Sequence, residues 1–179
     1  MRITKRSSGV TLIELLTVLA ILAILLGIGV PGFQSFIQSQ RLTTVTNELF
    51  ASINLARSEA IQRGTRVDLV PTGDGPKWAN GWLVFIDQNN NQKPDAGEQI
   101  IYSHGPAPKG VSISSNFTDN TPQYVAYTGT GRTRSNNNGL FAGSFSVAQS
   151  NGDNQTQRKV KINVLGRARV CNPNADADC

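Results

Sequence analysis

One histidine and two cysteines in 179 residues leave little material for metal or nucleophilic chemistry. Cys171 and Cys179 stand at the extreme C-terminal end and His104 lies far from both, so the spacing of a zinc site is missing. No Gly-x-Ser-x-Gly elbow accompanies His104, and neither a phosphate-cradling glycine loop nor a pair of catalytic acids is evident. The expectation is a protein that is not an enzyme, with no cofactor, no metal and no small-molecule substrate; Ser103-His104-Gly105 reads as a solvated loop. Charged residues make up only 16% and aromatic residues 7%, against an abundance of Asn, Gln, Ser, Thr and Gly. That balance suits a loop-rich, secreted β domain. The formal charge of +5 includes Arg2, Lys5 and Arg6 ahead of Gly9; without these three it is +2, so basic character is local.

What is present begins with a greasy run. Val10 to Val30 is 21 residues interrupted only by Thr11, Glu14 and Thr17. At about 1.5 Å of rise per residue, a helix of that length matches a hydrocarbon core about 30 Å thick. The short basic flank Arg2, Lys5, Arg6 is expected to stay cytoplasmic and to send the C-terminal side outside. An ordinary secretory signal carries small residues after its apolar region; here Ser8-Gly9 stands before it, and Val30-Pro31-Gly32-Phe33 offers no A-x-A site. The outward topology places Cys171 and Cys179 where disulfides persist, and a bridge closing residues 172–178 is expected, with two free thiols the alternative.

The order basic flank, small pair, apolar run closely resembles the type IV prepilin signal: Lys5-Arg6-Ser7-Ser8-Gly9, then Val10-Thr11-Leu12-Ile13-Glu14-Leu15-Leu16. Val10 departs from the phenylalanine usual there. The resemblance implies a dedicated prepilin peptidase that cuts after Gly9, and N-methylation of Val10. It also gives Glu14 a role. A carboxylate in a bilayer costs on the order of 3 kcal/mol and needs a partner or a purpose. In pilins the equivalent glutamate pairs with the N-terminal amine of a neighbouring subunit and sets register in the filament. A snorkelling or protonated acid near the helix start is the plainer alternative.

Gly27, Gly29, Pro31 and Gly32 end the span, with a kink or a melting hinge expected at Pro31. From Gln34 to Arg63 the pattern is again helical: Leu42, Val45, Leu49, Ile53, Ala56 and Ala60 draw one stripe, read as packing against a sheet. Arg63-Gly64 supplies a basic last turn and a glycine stop. Beyond lie runs with strand character: 66–70, 81–87, 99–102, 111–114, 123–127, 144–147 and 159–164. Turn clusters separate them: Pro71 to Pro76, Asn136-Asn137-Asn138-Gly139 and Ser150-Asn151-Gly152-Asp153. The fold class expected is α+β, with a long N-terminal helix, half transmembrane and half amphipathic, packed on a small antiparallel two-sheet β domain. Its segments are a leader at 1–9, a transmembrane and filament-core helix at 10–32, an amphipathic helix at 33–64 and a β-rich head at 65–179.

Three later stretches, Leu55-Ala56-Arg57-Ser58-Glu59-Ala60-Ile61, Gly81-Trp82-Leu83-Val84-Phe85-Ile86-Asp87 and Asp95-Ala96-Gly97-Glu98, resemble the GspH/FimT group of the type IV pilin superfamily. That group includes minor pilins of the FimT and FimU type and the minor pseudopilin of type II secretion. The resemblance implies the type IV pilin fold and a minor pilin that helps prime pilus assembly beside other major and minor pilins. It implies a single-pass anchor in the bacterial inner membrane with a periplasmic head, which reaches the cell surface in the pilus. A pseudopilin of type II secretion is the alternative.

Two stretches are candidate sites. Residues 87–98 put oxygen side chains at positions 1, 3, 5, 9 and 12 of a calcium-type loop, but Gln92 stands where the turn needs glycine, strands flank it and Pro94 stiffens it. A polar hairpin loop explains the composition equally well. The second is basic: Arg158, Lys159, Lys161, Arg167 and Arg169 come with no acid between Asn154 and Ala175. Lys159 and Lys161 share one face of a strand, with Val160, Ile162 and Val164 on the other. Gly166-Arg167-Ala168-Arg169 reads as a turn whose arginines suit phosphates and whose glycine admits the backbone. Gly166, Arg167 and Arg169 match the Gly-Arg-x-Arg pattern with which FimT-type pilins bind double-stranded DNA for uptake in transformation. A second copy, Gly131-Arg132-Thr133-Arg134, adds Arg132 and Arg134. The competing reading is a solvated basic edge strand whose lysines block unwanted pairing.

Overall fold

The computed structural model describes residues 9–73, 77–119, 121, 123–150 and 157–179, and for 28 and 30–32 the backbone alone. Residues 1–8 of the leader and residues 74–76 and 151–153 of the expected turns therefore lie outside the described residues.

Helix α1 runs from Leu12 to Arg63, 52 residues. It crosses between two compact units, residues 1–38 and 39–179. Its backbone is helical through Pro31. Among the described residues no helix is long and apolar enough to cross a membrane. The helical stretch whose side chains are described without a break before residue 28, Leu12 to Gly27 with Glu14 and Thr17 in it, is 16 residues. That is about 24 Å of helix, short of the roughly 30 Å of hydrocarbon. The expected span continues into residues 28 and 30–32, whose side chains lie outside the description.

In the second unit the predicted stripe is the core face. Leu42, Val45, Leu49, Ile53, Ala56 and Ala60 are all buried, in one cluster with Val67, Leu69, Val84, Phe85, Val125 and Tyr127. The helix ends at Arg63, and Gly64 takes the left-handed conformation of a glycine C-terminal cap, φ 64°.

Among the described residues eight strands follow: β1 Val67–Pro71, β2 Trp82–Ile86, β3 Ile100–His104, β4 Val111–Phe117, β5 Val125–Tyr127, β6 Gly143–Gln149, β7 Arg158–Ile162 and β8 Ala168–Cys171. They form two four-stranded antiparallel sheets, ordered β3-β2-β1-β5 and β4-β6-β7-β8. Val67 to Val70 are buried at every position, so β1 is covered on both faces. A 3₁₀ turn at Trp78–Asn80 buries Trp78 edge-on against Phe145 of β6, with ring centroids 4.7 Å apart. The inner side chains of the second sheet, Val147, Phe145, Val160 and Ile162, complete the same core.

Two expectations fail here. The basic strand ends at Ile162, and Val164 is exposed in the following turn rather than on the inner face. His104 closes β3 instead of lying in a solvated loop. Its ring stacks on Trp82, with centroids 3.8 Å apart and planes within 2°. Nε2 lies 3.1 Å from Glu48 of α1, and Nδ1 lies 2.7 Å from the Gly105 carbonyl.

Candidate functional site

At the helix start, Thr11 precedes Leu12 and Glu14 is the third helical residue. The Thr11 N–H and hydroxyl both donate to Glu14 Oε2 at 3.2 Å, and Glu14 N–H donates back to Thr11 Oγ1 at 3.4 Å. This is a reciprocal capping box, which fills orphan donors of the first turn. The Ser/Thr-x-x-Glu spacing was present in the sequence as Thr11 and Glu14. Glu14 thus has an intrachain partner two positions from the expected Gly9–Val10 cut.

Around β7 and β8 the expected basic turn is resolved into two parts. The reversal runs from Asn163 to Arg167: Gly166 N–H donates to Asn163 O at 2.8 Å and Asn163 N–H to Arg167 O at 3.1 Å. The Asn163 side chain accepts from Leu165 and Arg167 N–H, an Asx-type turn. Ala168 onward is strand, so Arg169 belongs to β8 and not to the turn. Its register partner is Lys161, and Lys159 pairs with Cys171. Lysines 159 and 161 therefore lie on an inner strand of the sheet, flanked by β6 and β8. That removes the edge-protection explanation for them.

Gly166 is buried. A Cβ there would lie 2.2 Å from the Gly131 carbonyl oxygen and 2.9 Å from Tyr127 Cε1, and its φ is +76°. The glycine admits the other Gly-Arg-x-Arg turn, not a phosphate, which corrects its expected role. Gly131, also left-handed at φ +72°, is buried in turn. Three further ties hold the two copies together. Arg57 Nε donates to Gly131 O at 3.0 Å and its Nη2 to Leu165 O at 3.4 Å. Tyr127 donates its hydroxyl to Gly166 O at 3.2 Å. Thr133 Oγ1 donates to Phe141 O at 2.7 Å, and it lies 3.1 Å from Asn163 O.

With Thr133 turned inward, Arg132 and Arg134 alternate outward. Arg132 and Arg167 are exposed, each directly after its glycine. Arg134 lines a polar cavity of about 380 Å³ with Arg66, Thr128, Ser135 and Asn136. The structure thus gathers both predicted motifs, 35 residues apart in sequence, onto one side of the head. Arg57 is the member that sequence reasoning missed.

The C-terminal end folds back onto the same strands. Cys171 and Cys179 form the expected disulfide. Within the closed loop the Asp178 carbonyl accepts from both Lys161 Nζ, at 2.8 Å, and Arg169 Nη2. The Asp176 carboxylate is turned to its own loop, accepting from Asn172 N–H at 2.8 Å. No ion pair joins either aspartate to the basic residues among those described.

The 87–98 loop is closed by its own chain. Asp87 accepts from Asn91 and Gln92 N–H, Asp95 from the Asn89 and Asn91 amides, and Glu98 from Gln88 and Asp95 N–H. The two amides, Asn89 first, hold the Asp95 carboxyl below its ordinary range. Gln92 adopts φ 59°, the left-handed conformation expected of glycine, with its side chain anchored to Asn90 O and Asn136 Oδ1. Arg66 grips Asp68 through two 2.7 Å bonds and reaches Asp87 at 3.6 Å. Burial pushes the Asp68 carboxyl up to about 7 against the pull of Arg66, and Asp87 pushes it the same way. Among the described residues no group of three or more His, Cys, Asp or Glu is placed to hold a metal ion.

A capped N-terminal helix whose second part packs on two antiparallel sheets defines a type IV pilin-like subunit, a structural class of protein. Comparison with known proteins agrees. The family described as type II transport protein GspH matches residues 45–166, and the prokaryotic N-terminal methylation motif matches residues 4–30. The chain belongs to the GspH family, and its N-terminal motif marks it as membrane-anchored or displayed on a pilus surface. Pilin-like protein PilA1 of Thermus thermophilus is 39% identical over 96 residues, which are 54% of this chain and 58% of that relative. The fold is shared with the type IV minor pilin FimU of Pseudomonas aeruginosa, with TM-score 0.61, 18% identity, and 78% of this chain and 94% of that one covered. It is shared too with the minor pseudopilin EpsH of the Vibrio cholerae type 2 secretion system, with TM-score 0.55, 12% identity, and 74% and 98% covered.

Proposed function

We propose that this chain is a minor pilin of the FimT/FimU type. It is cut after Gly9 by a prepilin peptidase, methylated on Val10 and held in the inner membrane by one pass with its head in the periplasm. From there it joins other pilins in a pilus, helps prime assembly and presents a basic surface to double-stranded DNA during uptake. The surface comprises Lys159, Lys161, Arg167 and Arg169, joined by Arg132 and Arg134.

The observation that carries the DNA reading is the register of β7 and β8. Lys161 stands directly opposite Arg169, and like charges in that position destabilise a sheet. The fold offers the pair one shared neutral acceptor, the Asp178 carbonyl, and no ion pair among the described residues, whereas a phosphate backbone would supply the missing charge. Such contacts are independent of sequence and weaken as salt rises, with a slope of about 0.9 per phosphate engaged. The test is a mobility shift with the full chain in detergent across a salt series. Arg167→Ala plus Arg169→Ala is expected to lower affinity and flatten the salt dependence on any duplex. Unchanged binding in the double variant contradicts the assignment.

The second reading is a minor pseudopilin of type II secretion. It is supported by the family's description and by the shared EpsH fold. Secretion lost on deletion of the gene, with piliation intact, would favour it.

A further inference from the structure

We infer that the two Gly-Arg-x-Arg turns work as one two-pronged edge for the phosphodiester backbone, and that Arg57 is the positioning residue that sets the prongs. The inference rests on the DNA reading above and adds a mechanism to it. Either turn alone is a short exposed reversal, and such segments wander unless tied down. Here Gly166 abuts the Gly131 carbonyl, so neither turn can shift without the other. The carbonyls at the meeting point, Gly131 O and Leu165 O, come from different turns and both accept from one guanidinium. The planar fork of arginine is suited to holding two acceptors at a fixed separation; a lysine ammonium is a single flexible point charge. Arg57 projects from α1, which packs into the core at Ala56 and Ala60, so the strut stands on a rigid base.

The consequence for binding is pre-organisation. Arg132 and Arg167, each following its glycine, spring from turns whose backbones are held against each other before DNA arrives. Ordering costs at the moment of binding are correspondingly small. Without the strut each prong engages independently, and a duplex meets one at a time.

The experiment is a set of salt-dependent mobility shifts with the full chain in detergent, on one duplex of arbitrary sequence. The variants are Arg57→Gln and Arg57→Lys, each in the wild-type background and in the background of Arg132→Ala plus Arg134→Ala. Losing one prong removes up to two phosphate contacts, a fall in slope of about 1.8. Arg57→Gln is expected to weaken wild-type binding and flatten its slope toward that of the Arg132/Arg134 variant. Arg57→Lys is expected not to restore it. In the background lacking Arg132 and Arg134, neither change is expected to have further effect, because one prong has no spacing to set. Equal losses in both backgrounds, or rescue by lysine, would mean that Arg57 meets phosphate itself and would overturn the strut. Absence of any shift with the wild-type chain would instead end the DNA reading, and the two-pronged edge with it.

Discussion

Replacing Gly166 with alanine tests whether the two turns are as closely packed as their geometry demands. Two costs are separable. The first is conformational: at φ +76° an L-residue pays about 1–2 kcal/mol relative to glycine. The second is steric. The new methyl would sit 2.2 Å from Gly131 O, a backbone atom with no rotamer to escape into. The 163–167 turn must therefore retreat, and at least the Tyr127 and Arg57 bonds to it are lost or stretched. At about 1 kcal/mol net for each bond, the total is roughly 3–4 kcal/mol. For a chain of this size that is roughly 6–16 °C in Tm. Gly64→Ala is the matched control: its φ is +64°, but its methyl would meet nothing within 4 Å. It carries only the conformational cost, roughly 2–8 °C. Thermal unfolding of both variants, followed by circular dichroism in one detergent, gives the comparison. If Gly166→Ala costs no more than Gly64→Ala, the close packing of the turns is wrong.

Three more expectations follow from the same contacts. Asp68, raised to about 7 in the folded chain, binds its proton more tightly there than when unfolded. Its contribution is therefore full below about pH 4 and lost as pH rises through 7, so stability against urea is expected to fall by about 2–3 kcal/mol from pH 5 to pH 8. Asp68→Asn should flatten that profile, and an equal slope in both proteins would refute the assignment. Cys171→Ser plus Cys179→Ser opens a loop whose closure is worth about 2–3 kcal/mol. The change also frees the Asp178 carbonyl from Lys161 and Arg169, so a lower Tm should come with tighter, more salt-sensitive DNA binding, and weaker binding would contradict the shared-carbonyl contact. Finally, Glu14→Ala removes a capping box and, with it, the intersubunit partner that the prepilin resemblance implies; it should leave the chain in the membrane fraction but lower its share in sheared pili, and equal incorporation would refute the pairing.

The sequence exposed those parts of the fold that depend on local periodicity. The stripe from Leu42 to Ala60 is a matter of 3.6-residue spacing, and each member is buried. The strands up to Lys159 were visible through alternation and intervening turn residues. What escaped notice depended on distant partners. Strand β8 is four residues long and carries two arginines within or beside it, so its signal resembled a turn until β7 paired with it. Gly166 was interpreted as a surface glycine because nothing local reveals that Gly131 lies against it. His104 reads as solvated from the sequence because its neighbours Trp82 and Glu48 are 22 and 56 positions away. Arg57 lies in the 55–61 stretch that carries the family resemblance, but nothing local in it points to the turns that it holds. Its function exists only through carbonyls 74 and 108 positions further on. The site residues themselves were legible as composition, an acid-free basic run with two Gly-Arg-x-Arg copies. Their union into one surface was not.

The account's central claim is that a trimmed N-terminal helix carries this β head into a fibre. Intact mass spectrometry of the chain purified from membranes or sheared pili tests it most directly. The prediction is a species beginning at N-methylated Val10 and extending to Cys179 with the disulfide formed. A species that still begins at Met1, or one that has lost the apolar helix altogether, contradicts it.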